Sequence, residues 1–371
     1  MAGGKKMLPR LVSRRMSAQS PQNLMKFIES VFEKLRRHPK RIVFPDGGEP
    51  RVLQAAARFQ QLGLGPPVLL GRMTEIEPIA KQHGVDLSRI GVIDPATADD
   101  LPMFVERLEK LKRYRNLGKT ESQQLMLNPN YFAAMMIQHG QADGLVGGTT
   151  NSAGTLLRPL LQLVKPLPGI SSISSCMIFD LERKNFGSEG VMLMADCAVI
   201  PEPSVEQLAH IAMETGKVCR QITGEKPRIA MLSFSTKGSS RLAQAERIAA
   251  ATALAKHKAE ALGLEMEIDG EMQADTAIVS DLAERKAPSS LVAGRANVLI
   301  FPDLNSGNIA SKLVHYLAGG MSYGQLLLGL SRPAADLSRG AAPEEILGMA
   351  AIVGMQAIEF RKLYPADKAG A

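Results

Sequence analysis

Residues 142–159 read ADGLVGGTTNSAGTLLRP. The ADGLVGG half is a short apolar run ended by paired glycines. The rest passes through hydroxyls and an amide (Thr149, Thr150, Asn151, Ser152) toward the start of a helix. A run too short and too apolar to alternate faces is buried on both sides, as a strand is when helices cover both faces of a parallel sheet. The same pattern recurs along the chain. RIVFP, PPVLLG, VMLMADCAV, PRIAMLSFS, EMEIDG and ANVLIFPD are short runs followed by turn residues, and helical stretches over 24–35, 51–62, 205–220, 241–261 and 307–318 alternate with them. This alternation predicts an α/β fold with mainly parallel sheets.

Composition narrows what such a fold does here. The 371 residues suffice for two domains with sizeable cores. The formal charge of +7 comes from the first 41 residues, where eleven Lys/Arg face only Glu29 and Glu33; beyond them 33 basic residues meet 35 acidic ones. With a body that is not basic, 4% aromatics and no tryptophan, nucleic-acid binding is disfavoured. No apolar run reaches the roughly 18 residues needed to span a bilayer. Cys176, Cys197 and Cys219 lack CxxC spacing and the six histidines are scattered, so neither a disulfide framework nor a metal site is expected, and a reducing compartment fits. The first twenty residues hold five basic residues, three serines and no acid. That composition suits an organellar targeting segment, a basic tail, or a start codon upstream of Met16 or Met25.

In open α/β sheets ligands bind where strands end and helices begin, so polar loops at those points are the candidates. PDGGEP (45–50) carries Gly-Gly but no G-x-G-x-x-G, and an ordinary strand-to-helix turn would need the same residues. VGGTTNSAGTLLRP (146–159) offers amides and hydroxyls at a helix start, an anion site, with Arg158 beside it; no Walker A sequence is present. SFSTKGSSR (233–241) places Ser235, Thr236, Lys237 and Gly238 after a strand, suited to phosphate or pantetheine. PDLNSGN (302–308) supplies Asn305 and Asn308. DLSRGAAPEE (336–345) sets a hydroxyl, a guanidinium and two carboxylates close together. Pro343 suits the first helical position, which puts Glu345 at the third. A glutamate there often complements the helix dipole or completes a capping box. Ala342 at the cap removes the usual hydroxyl partner and leaves Glu345 open to another role.

Taken in order, these loops resemble the phosphate acetyltransferase (phosphotransacetylase) family over about residues 24 to 363. The stretches that carry the likeness are RIVFPDGGEPRVLQAA, NYFAAMM, ADGLVGGTTNSAGTLLRP, MADCAVIPEPS, MLSFSTKGSS, DGEMQADTAIV, ANVLIFPDLNSGNIASKL and DLSRG. The resemblance implies two α/β/α domains with the active site in the cleft between them. The first would comprise 23–172 and 331–371 and the second 173–330, with 1–22 as a basic extension. It implies reversible transfer of an acetyl group between acetyl phosphate and coenzyme A by direct thiolate attack in a ternary complex. No cofactor is expected, since coenzyme A is itself a substrate. Ser338, Arg339 and Glu345 would be catalytic, with Glu345 standing where the family usually has Asp. Arg113, Arg158, Thr149 and Ser152 would hold phosphate, with Arg115 as the alternative to Arg113. Ser235, Thr236, Lys237, Gly238, Asn305 and Asn308 would bind coenzyme A. A cytoplasmic homodimer is implied, with organellar targeting by the extension as the other possibility. Three rival readings are a non-catalytic acetyl-CoA-sensing module like that of some malic enzymes, a phosphate acyltransferase for longer acyl groups, and a pure binding protein for coenzyme A or acidic metabolites.

Overall fold

The structure is a computed structural model, and it describes residues 26–114, 116–150, 154–170 and 172–363. The basic extension, Ser152 and Arg115 lie outside the described residues. Eleven strands form one sheet among the described residues. In chain order they are β1 (Ile42–Phe44), β2 (Pro67–Leu70), β3 (Gly91–Ile93), β4 (Gly144–Gly147), β5 (Ser174–Asp180), β6 (Val191–Ala195), β7 (Arg228–Leu232), β8 (Glu267–Met272), β9 (Val298–Ile300), β10 (Met321–Leu328) and β11 (Ala334–Asp336). Across the sheet the order is β3-β2-β1-β4-β11-β10-β5-β6-β9-β7-β8.

The strands that read as unbroken apolar runs are the parallel ones. β1 pairs with β2 and β4, β4 with β11, β9 with β6 and β7, and β7 with β8, all parallel. They are buried because helices lie on both faces: every residue of β1, β2, β4 and β6 is buried. Apolar runs predict neither β5 nor β10, whose pairings to each other, to β6 and to β11 are antiparallel. Those two strands join the sets that sequence reading assigns to separate domains: β1–β4 and β11 occupy one end of the sheet, β5–β10 the other. The helix Pro343–Leu363 packs on Pro50–Gln61, on Lys26–Arg37 and on β10. Gly348 makes the last contact possible, since a Cβ there would run into the Tyr323 ring. Leu35, Phe44, Leu53, Phe59 and Ile346 are fully buried in this layer, each contributing about 1.5–3 kcal/mol through its side chain.

Strand direction then positions the loops. β1, β4 and β11 are adjacent and parallel, so the loops after them, PDGGEP, GGTT and DLSRG, emerge along one edge. The Leu337 N–H donates to the Gly147 carbonyl at 2.7 Å and continues that pairing past the strand ends. β10 runs the other way, with Leu326 opposite Ala335 and Leu327 opposite Ala334, so its first residues meet the DLSRG loop.

Candidate active site

A cavity of about 390 Å³ opens at this edge, with Asp336, Ser338, Arg339 and Glu345 on one side and Asn308, Lys312 and His315 of the Leu304–Leu317 helix on the other. Ser322 and Gln325 of β10 line it between them. A bulge in the β10–β5 pairing between Tyr323 and Leu326 lies beside this wall, the kind of irregularity that re-aims a side chain. The Gln325 Oε1 atom is buried without a hydrogen-bond partner among the described residues. A larger cavity of about 580 Å³, beside Asp180, Lys184 and Glu225, holds none of the loop side chains. Hydroxyl, guanidinium and carboxylate groups converge in the smaller one.

The loops are fastened to one another by two side chains. Arg51, at the start of the Pro50–Gln61 helix, donates through Nη1 to the carbonyls of Arg339 (2.8 Å) and Ala341 (2.9 Å) and through Nη2 to that of Thr149 (3.4 Å). Its Nε is held by Glu49 at 2.7 Å. Asp46 accepts from the Thr149 N–H and hydroxyl, both at 2.9 Å, and from the Thr150 hydroxyl at 2.5 Å. Gly148 lies where the loops touch: its φ is +96°, and a Cβ would collide with the Asp336 carboxylate and the Leu337 backbone. Burial, with the Asp46 charge nearby, pushes the Asp336 carboxyl up to about 6.

Glu345 is held at both oxygens. Oε2 accepts from the Ala342 N–H at 2.8 Å, and Oε1 accepts from the Ser322 hydroxyl at 3.1 Å. Ser322 in turn lies 2.5 Å from His315 Nδ1. The sequence expectation that the missing hydroxyl at Ala342 frees Glu345 is therefore half met. One oxygen makes the backbone half of a capping box, and the carboxylate still lines the cleft. Ser338 and Arg339 are exposed to the cavity. The Arg339 guanidinium has no ion-pair partner among the described residues.

The family model described as phosphate acetyl/butaryl transferase matches residues 26–354. The chain belongs to that family. Phosphate acetyltransferase of Thermoanaerobacterium thermosaccharolyticum is 41% identical over 333 residues, covering 90% of this chain and 100% of that one. The phosphate acetyltransferase of Acetivibrio thermocellus is 39% identical, covering 90% and 98%. Among solved structures, a phosphotransacetylase from Streptococcus pyogenes superposes with a TM-score of 0.82 at 35% identity, covering 92% of this chain and 100% of that one. A branched-chain phosphotransacylase from Enterococcus faecalis, at 17% identity and a TM-score of 0.61 over 86% of this chain and 99% of that one, shares the fold.

Within this acyltransferase family member, the described residues singled out from sequence fall into five places. Ser338, Arg339, Glu345 and Asn308 line the cleft, and Asn308 also donates to the Cys197 carbonyl at 3.0 Å. Arg113 and Arg158 are brought together, both exposed, on a separate cavity of about 490 Å³ that contains neither Ser338 nor Arg339. Thr149 is buried with its hydroxyl given to Asp46. The SFSTKGSS loop is bound to β8: Ser235 Oγ and Gly238 N–H donate to Glu271 at 2.9 and 2.7 Å, and Thr236 Oγ1 accepts from Gln273 N–H. Lys237 pairs with Asp269 at 2.5 Å. Burial pulls the Asp269 carboxyl up, yet bonds from Lys237, Ser290 and Lys256 outweigh it and hold it at about 2. Asn305 is exposed at the start of its helix.

Sequence reasoning missed Arg51, Asp46, Lys312, His315, Ser322 and Gln325. Arg51 and Asp46 stand inside the PDGGEPR stretch, whose residue types also suit an ordinary strand-to-helix turn. The other four lie on a helix and a strand whose faces are set only by packing.

Proposed function

We propose that this chain catalyses reversible acetyl transfer between acetyl phosphate and coenzyme A. The observation that carries the reading is the convergence of Ser338, Arg339 and Glu345 on one cavity, in a chain 41% identical to a phosphate acetyltransferase. A thiol with an ordinary pKa near 8.5 attacks poorly at neutral pH until a base removes its proton. Glu345, which lines the cleft together with Asp336, takes this role. As sulfur adds to the acyl carbonyl, its oxygen gains charge, which the exposed Ser338 hydroxyl meets as a preorganised donor. The departing phosphate is multiply anionic, and the exposed guanidinium fork of Arg339 suits it. Arg113 and Arg158, which share a cavity of their own, attract the anion by their charge, and the phosphate-holding role expected of Ser152 falls outside the described residues.

Coenzyme A approaches past Asn308 and Lys312, and the loop of Ser235, Thr236, Lys237 and Gly238, with Asn305, serves the outer part of the molecule. Because Ser235, Thr236, Lys237 and Gly238 are already engaged by β8 and Gln273, their contribution is to fix the shape of the surface that this part of the molecule meets. The buried Gln325 oxygen offers an acceptor to a substrate N–H. The transfer needs no metal or redox cofactor in this scheme.

The active form is a homodimer in this reading. Ile309, Leu313, Tyr316 and Leu317, spaced along one face of the Leu304–Leu317 helix, are 54–78% exposed, an apolar stripe that a second copy would cover. No helix among the described residues is long and apolar enough to cross a membrane. The three cysteines are free and buried, which supports a reducing, cytoplasmic setting.

The test is thioester formation from acetyl phosphate and coenzyme A in the presence of a chelator, with propionyl and butyryl phosphates alongside. Acetyl-CoA formation is expected. Coenzyme A binding without thioester would favour a sensing module, and faster turnover of butyryl phosphate would favour a longer-chain transferase.

A further inference from the structure

The cleft contains a chain of three groups from three segments: His315 on the Leu304–Leu317 helix, Ser322 on β10, and Glu345 on the Pro343–Leu363 helix. His315 Nδ1 and Ser322 Oγ are 2.5 Å apart, Ser322 Oγ and Glu345 Oε1 are 3.1 Å apart, and His315 Nδ1 lies 3.9 Å from the same carboxylate oxygen. Ser322 is only 5% exposed, while His315 and Glu345 both line the cavity.

The hydroxyl has a single proton, and that fixes the arrangement. A carboxylate can only accept, so Ser322 gives its proton to Glu345, and its oxygen must then accept from His315, which places a hydrogen on Nδ1. Without His315 the Ser322 proton is free to rotate away. With it, Glu345 Oε1 is held by Ser322 while Oε2 is held by the Ala342 N–H, and the carboxylate plane is fixed toward the cleft. Resting on the acetyl-transfer reading above, we propose that His315 is a positioning residue which, through Ser322, holds Glu345 in the orientation that collects the thiol proton. His315 touches no reacting atom in this arrangement. A base misplaced by about an ångström loses much of its effect, so the pair acts on turnover and not on substrate affinity.

The experiment is steady-state kinetics with acetyl phosphate and coenzyme A on the full chain. His315→Ala and Ser322→Ala should each lower kcat about tenfold to a hundredfold, the value of a hydrogen bond to a charged group, with both KM values within about twofold of wild type. His315→Asn should recover most of the rate, because its amide N–H falls near the Nδ1 position, whereas His315→Gln, which reaches toward Nε2, should not. In a Glu345→Gln background neither alanine variant should reduce kcat further. Wild-type kcat in His315→Ala, equal rates for the Asn and Gln variants, or full additivity with Glu345→Gln would each overturn the proposal. A wild-type chain with no turnover would sink the acetyl-transfer reading and this one with it. Normal wild-type turnover with indifferent His315 variants would sink only this one.

Discussion

Replacing Asp336 by Asn should stabilise the free protein, and more so as pH rises. Asp336 borders the cleft beneath Gly148, where burial first and the Asp46 charge second push its carboxyl up to about 6. In the unfolded chain an aspartate titrates near 4. The folded state thus keeps its proton to higher pH than the unfolded state. Stability is complete below about pH 4, falls as pH rises through about 6, and is constant above. A difference of roughly two pKa units corresponds to about 3 kcal/mol at pH 8 and about half that at pH 5. Asn has no charge to desolvate and removes this cost. With an unfolding entropy of about 2.1 cal/mol/K per residue, 371 residues give about 0.8 kcal/mol/K, so the variant should melt about 4 °C higher at pH 8 and about 2 °C higher at pH 5. Scanning calorimetry of both proteins at these two pH values is the assay. A Tm difference that is independent of pH, or a variant that melts below wild type at pH 8, would refute the burial argument. It would mean that Asp336 is ionised and satisfied in the folded protein.

Glu345→Gln keeps an oxygen for the Ala342 N–H, so its Tm should stay near wild type while kcat falls about 10²–10⁴-fold; Glu344→Gln, on the exposed neighbour, should be nearly silent in the same assay. Arg51→Ala removes the bonds that tie DLSRG to the Thr149 loop and should cost about 1.5–3 kcal/mol. It should also raise amide exchange over 337–342, and Arg51→Lys, lacking the fork, should restore little. Leu313→Glu, on the exposed apolar stripe, should convert the chain to a monomer by light scattering, and an unchanged mass would remove the stripe from the dimer interface.

Much of this protein is legible in one dimension. Runs such as RIVFP and VMLMADCAV are unbroken apolar because parallel strands are covered on both faces, and that condition is written locally. So is the helical start at Pro343, and so are the loop chemistries, since a glycine pair or an S-R-G triplet is contiguous. Sequence therefore determined the α/β class, the parallel strands β1, β2, β4, β6, β7, β8 and β9, and Ser338, Arg339 and Glu345 as neighbours. It did not determine which loops meet. That depends on strand order and direction, which arise from packing among segments hundreds of residues apart. Antiparallel β10 brings Ser322 to the end of β11; a strand in the other direction would carry it to the far edge. The 304–317 helix faces His315 into the cleft and leaves Leu313 outside, though neither side chain signals its side by type. Arg51 clamps carbonyls 288 and 290 residues away, a contact between a side chain and backbone that no residue pattern encodes. Arg113 and Arg158, assigned to phosphate through the family resemblance, line a separate cavity and not the one holding Ser338, because a motif states what a residue can bind and only the fold states where it stands.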